Sequence, residues 1–306
     1  MLAVFIILRY FVGKQKQAIE ERVKKVQQFQ IPKEGGALQK MSKDQDGNIT
    51  LKLAKKIKIT SDTFIFRFSF SDPDWSFGLP IGQHVVFSAT IPTKAKPEGE
   101  LVCRKYTPTS TLQTTGYVDF VIKIYRKDVH PRFPDGGILT QYLETLEPGA
   151  QMLMEGPKGR LSYQGFGNFQ ILKNQFKRTR IGMVAGGTGI TPCYQVIQSA
   201  LNADDGTQLS LIFGNRSVDD ILLKEELDQL RDNNKDKLKV LYTVDIKPEG
   251  AWDGKVGFVT QEMISQNLPA PSPETVILFC GPPPFEFMMK NHLTELGYSE
   301  DMIIKF

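Results

Sequence analysis

Hydrophobic positions follow two different patterns along this chain. In Thr63–Phe70 they alternate: Phe64, Phe66, Phe68 and Phe70 fall on one face and Ile65 on the other. A period of two is that of a strand, whose successive side chains point to opposite faces. His84–Ala89, Val118–Tyr125 and Gln151–Glu155 are also rich in β-branched and aromatic residues, and turn residues separate them. From Ile49 to the Gly165–Lys177 stretch, short strands with frequent turns predict an all-β barrel or sandwich. From Arg180 continuous apolar runs replace alternation. Ile181–Ala185 is followed by Gly186-Gly187-Thr188-Gly189 and a helical pattern from Pro192. Leu209–Phe213 precedes a helical pattern around Asp219–Arg231, and Leu238–Val244 and Thr275–Cys280 are further runs. Apolar strands alternating with helices predict a parallel α/β sheet.

The N-terminus fits neither pattern. Met1–Val12 is apolar except for Arg9, and Lys14–Gln30 is basic with Ala18, Ile19, Val23 and Val26 at helical spacing. The apolar stretch is shorter than the roughly 20 residues of a membrane-spanning helix. An apolar plug followed by a basic amphipathic helix predicts a membrane anchor over residues 1–30, with the body on the cytoplasmic side. An ordinary docked helix is the alternative. Gly35, Gly36 and Lys43–Gly47 read as a linker. The expected domains are therefore an anchor (1–30), a β domain (48–165) and an α/β domain (178–306).

Composition narrows the function classes. The chain has 306 residues and a formal net charge of +4. So mild an excess argues against nucleic acid and fits an acidic protein partner or an anionic membrane surface. Cys103, Cys193 and Cys280 are too few and too scattered for a disulfide framework or a zinc site. His84, His130 and His292 lie on separate segments, with no metal cluster, serine triad or carboxylate pair in view. A chain without its own acid–base machinery suits chemistry carried by a cofactor. Nothing demands more than a monomer.

Four motifs supply candidate sites. Arg104-Lys105-Tyr106-Thr107-Pro108-Thr109-Ser110 stands at a predicted strand end. An Arg fork pairs with pyrophosphate, a Tyr offers a flat face to isoalloxazine or ribose, and a Thr hydroxyl can bond a ring heteroatom. The set suits a flavin nucleotide, and alone it also reads as a surface strand and turn. Gly136-Gly137 opens a helix with Ile138, Leu139 and Thr140 in its first turn. Backbone N–H groups there form an anion site fit for pyrophosphate. Ala185–Pro192 follows a strand and precedes a helix, the setting of a dinucleotide loop, although it lacks the G-x-G-x-x-G spacing. Cys280-Gly281-Pro282-Pro283-Pro284 ends an apolar strand, and ligands of open α/β sheets bind beyond the carboxyl ends of strands. Cys280 reads there as a thiol facing the ligand or as a small buried hydrophobe.

In this order and spacing, with Gly156-Pro157-Lys158-Gly159 and Trp252-Asp253 added, the motifs resemble the ferredoxin–NADP reductase superfamily and within it the NADH–cytochrome b5 reductases. The resemblance spans Ile49 to Phe306. It implies a two-domain fold: an antiparallel FAD-binding β-barrel, then an α/β parallel-sheet NAD-binding domain. It implies FAD contacts from Arg104, Tyr106 and Thr107, with Val121, Lys123 and Tyr125 lining the cofactor. Gly137, Ile138, Leu139 and Thr140 would hold its pyrophosphate, with Thr191 reaching from the second domain. Gly187, Thr188 and Gly189 would receive NADH, with Cys280, Gly281 and Pro282 beside the nicotinamide. Thr107 and Cys280 would act at the reacting rings, and Phe306 would cover the flavin region. Asp245 would bond the adenosine ribose and repel a 2′-phosphate, favouring NADH, whereas Arg216 reads as a solvated loop residue.

The implied reaction passes a hydride from NADH to FAD and then single electrons to cytochrome b5 or a similar small acidic haem protein. Its implied setting is the cytoplasmic face of the endoplasmic reticulum or mitochondrial outer membrane. Lys127, Arg132, Lys158 and Arg160 are candidates for a basic rim that steers such a partner. Three positions depart from the family pattern: Lys105 stands for a Pro, Ile138 for a Lys and Phe285 for a Met. The alternatives are a related flavin reductase with another acceptor, a nucleotide-binding module without catalysis and a flavin-free dehydrogenase.

Overall fold

The computed structural model describes residues 36–129, 134–203 and 206–306. The expected anchor over 1–30, together with His130 and Arg132, lies outside the described residues. The first described element is a short helix, α1 (Ala37–Lys40), where a linker was expected at Gly36. Its residues Ala37 and Leu38 are fully buried. Gly36 explains the docking: a Cβ there would lie 2.5 Å from the Gly78 backbone, so only glycine lets the two chains abut.

The first unit is built from β1 (Ile49–Lys58), β2 (Thr63–Ser69), β3 (His84–Ile91), β4 (Glu100–Tyr106), β5 (Tyr117–Lys123) and β6 (Gln151–Lys158). They form one antiparallel sheet in the order β4–β3–β6–β1–β2–β5. The Phe alternation of β2 works as expected. Phe66 and Phe68 are fully buried, and Phe68, Phe87 and Phe120 pack edge to face with centroids 4.8–6.1 Å apart. The sheet curls as the expected barrel does but stays open, because β4 and β5 are its two edges. The helix α2 (Ile138–Thr145) packs against β3 and β4, burying Leu139 and Leu143.

A small antiparallel sheet of β7 (Leu161–Tyr163), β8 (Asn168–Ile171) and β9 (Asn174–Lys177) follows, in a stretch where the sequence pattern only fades. Then comes a parallel sheet of β10 (Arg180–Gly186), β11 (Gln208–Asn215), β12 (Leu238–Val244), β13 (Lys255–Val256), β14 (Thr275–Cys280) and β15 (Ile303–Lys305). Its order is β13–β12–β11–β10–β14–β15, so the winding reverses between β10 and β14. Helices α3 (Ile190–Ala203), α4 (Lys224–Asn233), α5 (Gln261–Asn267) and α6 (Pro283–Glu295) connect the strands. The helix expected from Pro192 begins two residues earlier, continuing a 3₁₀ turn at Gly187–Gly189. The helix expected over Asp219–Arg231 is split. Ile221, Leu222 and Leu223 are all buried, and Leu223 takes a left-handed φ of 55° that interrupts the helix before α4 starts.

The units share one apolar cluster. Ile81 and Val121 of the first, Leu161, Tyr163 and Phe169 of the small sheet, and Ile190 and Tyr194 of α3 all belong to it. Ile65, on the face of β2 opposite the Phe row, packs against that cluster. Gly82 N–H donates to Gln195 Oε1 of α3 at 3.2 Å across the seam.

Candidate active site

A cleft of about 950 Å³ lies between the two units, at the upper end of the usual range for small-ligand sites. From the first unit it is lined by Arg104, Tyr106 and Thr107 at the end of β4, and by Val121, Lys123 and Tyr125 on and after β5. Gly137, Leu139 and Thr140 line it at the start of α2. That start suits an anion. Gly137 provides no side-chain cap, so the first-turn N–H groups face outward without intrahelical partners. Thr140 Oγ1 instead donates to Gly137 O at 3.0 Å and accepts from Tyr125 N–H at 3.2 Å, tying the helix start to the β5 edge. Gly136 is required at φ +67°, since a Cβ there would sit 2.4 Å from Tyr125 O. Ile138 differs from its expected place. It is absent from the lining, and its side chain packs against the core of the first unit.

The second unit contributes the strand ends on either side of the winding reversal, where open α/β sheets bind ligands. Gly187, Thr188, Gly189 and Thr191 follow β10, and Cys280 ends β14 with Gly281 and Pro282 just after it. Gly189 abuts the second strand end so closely that a Cβ would lie 2.2 Å from Cys280 O. Thr191 Oγ1 donates to Thr188 O at 3.3 Å and steadies the turn. The Phe285 ring lies against the backbones of Gly186 and Gly281. Phe306 borders the cleft, its N–H donating to Phe279 O at 3.3 Å. Burial, reinforced by Glu286, pushes the Cys280 thiol up to about 11, so it stays protonated and uncharged near neutral pH.

Asp245 and Arg216 stand side by side. Asp245 N–H donates to Asn215 O at 3.0 Å and Ile246 N–H to Arg216 O at 2.9 Å. Arg216 borders the cleft just after β11 and is exposed there, in keeping with a solvated loop residue. Desolvation raises the Asp245 pKa and Arg216 opposes the rise. Lys123 also departs from a purely cofactor-facing reading, because its ammonium forms ion pairs with Asp62 at 3.1 Å and with Asp220. Desolvation alone would lower its pKa, but the bonds to Asp220 and Asp62 outweigh it and the net shift is upward.

Residues outside the four motifs complete the site. His84 borders the cleft and is pushed down to about 4 by burial, then by Lys105 and Lys158, so it is neutral at pH 7. Phe258 borders it with its ring largely exposed. Asn215 is 7% exposed, and neither its Oδ1 nor its Nδ2 has a hydrogen-bond partner among the described residues. The rule that singled out Cys280, a polar group just beyond an apolar run, would also have found Asn215. No metal-binding cluster occurs among the described residues.

The chain fits a bipartite nucleotide site: an Arg, two Tyr rings and an uncapped helix start on one wall, glycine turns on the other. Residues 50–163 match the family model for an oxidoreductase FAD-binding domain, and 183–291 match that for an oxidoreductase NAD-binding domain. The chain is 45% identical over 264 residues to NADH-cytochrome b5 reductase 3 of Rattus norvegicus, covering 84% of this chain and 85% of the relative. It is 42% identical over 271 residues to NADH-cytochrome b5 reductase 2 of Homo sapiens, covering 86% and 96%. It also matches inducible nitrate reductase [NADH] 2 of Glycine max at 42% identity over 82% of the chain, but spans only 28% of that enzyme. The crystal structure of the cytochrome b5 reductase domain of Ulva prolifera nitrate reductase superposes with a TM-score of 0.82 at 36% identity, covering 87% of this chain and 99% of that one. Motifs, fold and relatives thus agree, and the chain belongs to the NADH–cytochrome b5 reductase family.

Proposed function

We propose that this protein is a reductase that takes a hydride from NADH onto bound FAD and delivers electrons singly to cytochrome b5. One observation carries the reading: Arg104–Thr107 with Gly137, Leu139 and Thr140 of the first unit face the same cleft as the Gly187–Gly189 turn and Cys280 of the second. FAD would supply the conversion between two-electron and one-electron chemistry, which no protein side chain provides. Arg104 and the α2 start would hold its pyrophosphate. Tyr106 would flank the rings, its hydroxyl held neutral because burial raises its pKa. Thr107 would bond the flavin edge. The Gly187–Gly189 turn and Thr191 would bring the dinucleotide in from the second unit, with neutral Cys280 beside the nicotinamide. Asp245 would bond the adenosine ribose and disfavour a 2′-phosphate, while adjacent Arg216 moderates that preference.

The exposed Lys105, Lys127 and Arg160 support docking of an acidic partner, with Lys158 contributing less because it pairs with Glu155. The apolar Met1–Val12 and basic Lys14–Gln30 stretches support attachment to a membrane surface. No described helix is long and apolar enough to cross a membrane. Co-sedimentation with anionic vesicles, with and without residues 1–30, tests the attachment. For the activity, visible spectra of the purified full chain are recorded anaerobically before and after one equivalent of NADH, and cytochrome b5 is then added. Yellow protein that bleaches and goes on to reduce the haem is the expected result. Protein that stays colourless when supplied with FAD sinks the reading.

A further inference from the structure

Lys123 stands where the two units meet, and its ammonium is shared between them. On its own side it pairs with Asp62 Oδ2 at 3.1 Å, and across the seam it pairs with Asp220 Oδ1. Both carboxylates are fixed in turn. The hydroxyls of Thr60 and Thr63 donate to Asp62 Oδ1 at 3.0 and 3.1 Å, and Ile124 N–H donates to Asp62 O at 2.6 Å, just beyond Lys123. Ser217 Oγ donates to Asp220 Oδ2 at 2.7 Å. Asp220 thus belongs to the loop that begins at Asn215 and Arg216 on the cleft wall. The three charged side chains retain only 20–30% exposure, so solvent screens them less than surface ions.

The rest of the seam is poorly suited to setting a distance. The apolar cluster there is held by a non-directional force. The neutral Gly82–Gln195 bond is a single contact at 3.2 Å. An ion pair between two braced groups is directional. We propose that Asp220 is a positioning residue: by gripping Lys123 across the seam it sets the spacing between the flavin-side and nicotinamide-side walls. Asp62 keeps Lys123 paired when the units separate, so that no uncompensated buried cation is left behind. This rests on the hydride-transfer reading above. Such a transfer is sensitive to spacing, a misplacement of about 1 Å costing on the order of 100-fold in rate.

The test uses the full-length FAD-loaded chain and anaerobic stopped-flow flavin reduction across a range of NADH concentrations. Asp220→Asn should lower the limiting reduction rate about tenfold or more and leave the apparent Kd for NADH within about threefold, with FAD content and Tm held near wild type. Asp220→Glu should recover part of the rate. In a Lys123→Met background, Asp220→Asn should cause no further loss, because the two residues act as one contact. An unchanged limiting rate, a change in Kd alone, or an equal loss with and without Lys123 overturns the proposal. If Lys123→Met does not retain FAD, Asp220→Glu decides, and failure to recover rate counts against it. A wild-type chain that NADH does not bleach marks failure of the functional reading itself.

Discussion

The two walls of the cleft are built by different means. The wall from the antiparallel unit offers side chains: Arg104, Tyr106, Thr107, Tyr125 and Thr140. The wall from the parallel unit adds bare backbone at its glycine turns to side chains such as Asp245 and Cys280, and at Gly186, Gly189 and Gly281 an added Cβ would crowd its neighbours. A strand edge presents alternate side chains to a ligand. The carboxyl ends of parallel strands instead run straight into turns, and there the absence of a side chain lets a phosphate approach. Truncation should therefore injure the first wall and addition the second.

The largest expected effect is on the backbone wall. Gly189→Ala forces a Cβ within 2.2 Å of Cys280 O, which cannot yield without parting β10 from β14. We expect about 3 kcal/mol of destabilisation by chemical denaturation and loss of NADH-dependent bleaching. Gly187→Ala meets no atom within 4 Å and strains only its φ of +53°, so about 1 kcal/mol is expected. Equal effects at the two positions would break the steric account.

On the side-chain wall, Arg104→Ala should weaken FAD retention by roughly 1.5–3 kcal/mol, the usual worth of a hydrogen bond to a charged group. Bound flavin per protein after dialysis measures this. Full retention of FAD would mean that the α2 start holds the pyrophosphate unaided.

Asn215 is a buried polar side chain on the same wall. A buried amide without partners costs about 1–3 kcal/mol. Asn215→Leu should thus raise Tm by a few degrees while raising KM for NADH. A fall in Tm with unchanged KM would show that the amide serves the fold instead.

The smallest effects concern pH. His84 titrates at about 4 in the folded chain against an ordinary 6.5, so the unfolded chain binds the extra proton first as pH falls. Its contribution to stability is therefore present above pH 6.5 and lost progressively toward pH 4. His84→Gln should flatten the Tm profile across that window. Cys280 titrates at about 11 against 9, so stability falls as pH rises between those values, and alkylation of Cys280 should be slow at pH 8. Fast alkylation at pH 8 would contradict its burial.

Much of this was legible in sequence because it is local. The Phe row of β2 predicted its own buried face, and the apolar runs of β10 and β14 predicted strands covered on both sides. The glycine turns and the Arg104–Thr107 motif marked the cleft without any knowledge of docking. The small sheet of β7–β9 was less visible, because three- and four-residue strands carry too few alternations to read. The split before α4 was missed because Ile221-Leu222-Leu223 also fits a helical pattern, and only packing against the sheet decides otherwise.

By itself, then, the sequence determined the two kinds of sheet, the turns that end their strands and the chemical character of each wall, since these depend on residues within a few positions of one another. Tertiary structure alone decided how the walls face each other. It placed Lys123 against Asp220, 97 residues away, put Arg216 beside Asp245, and enclosed the Asn215 amide without a partner among the described residues. Such pairings arise from the docking of one unit on another, and short-range propensity carries no record of which distant groups that docking brings together.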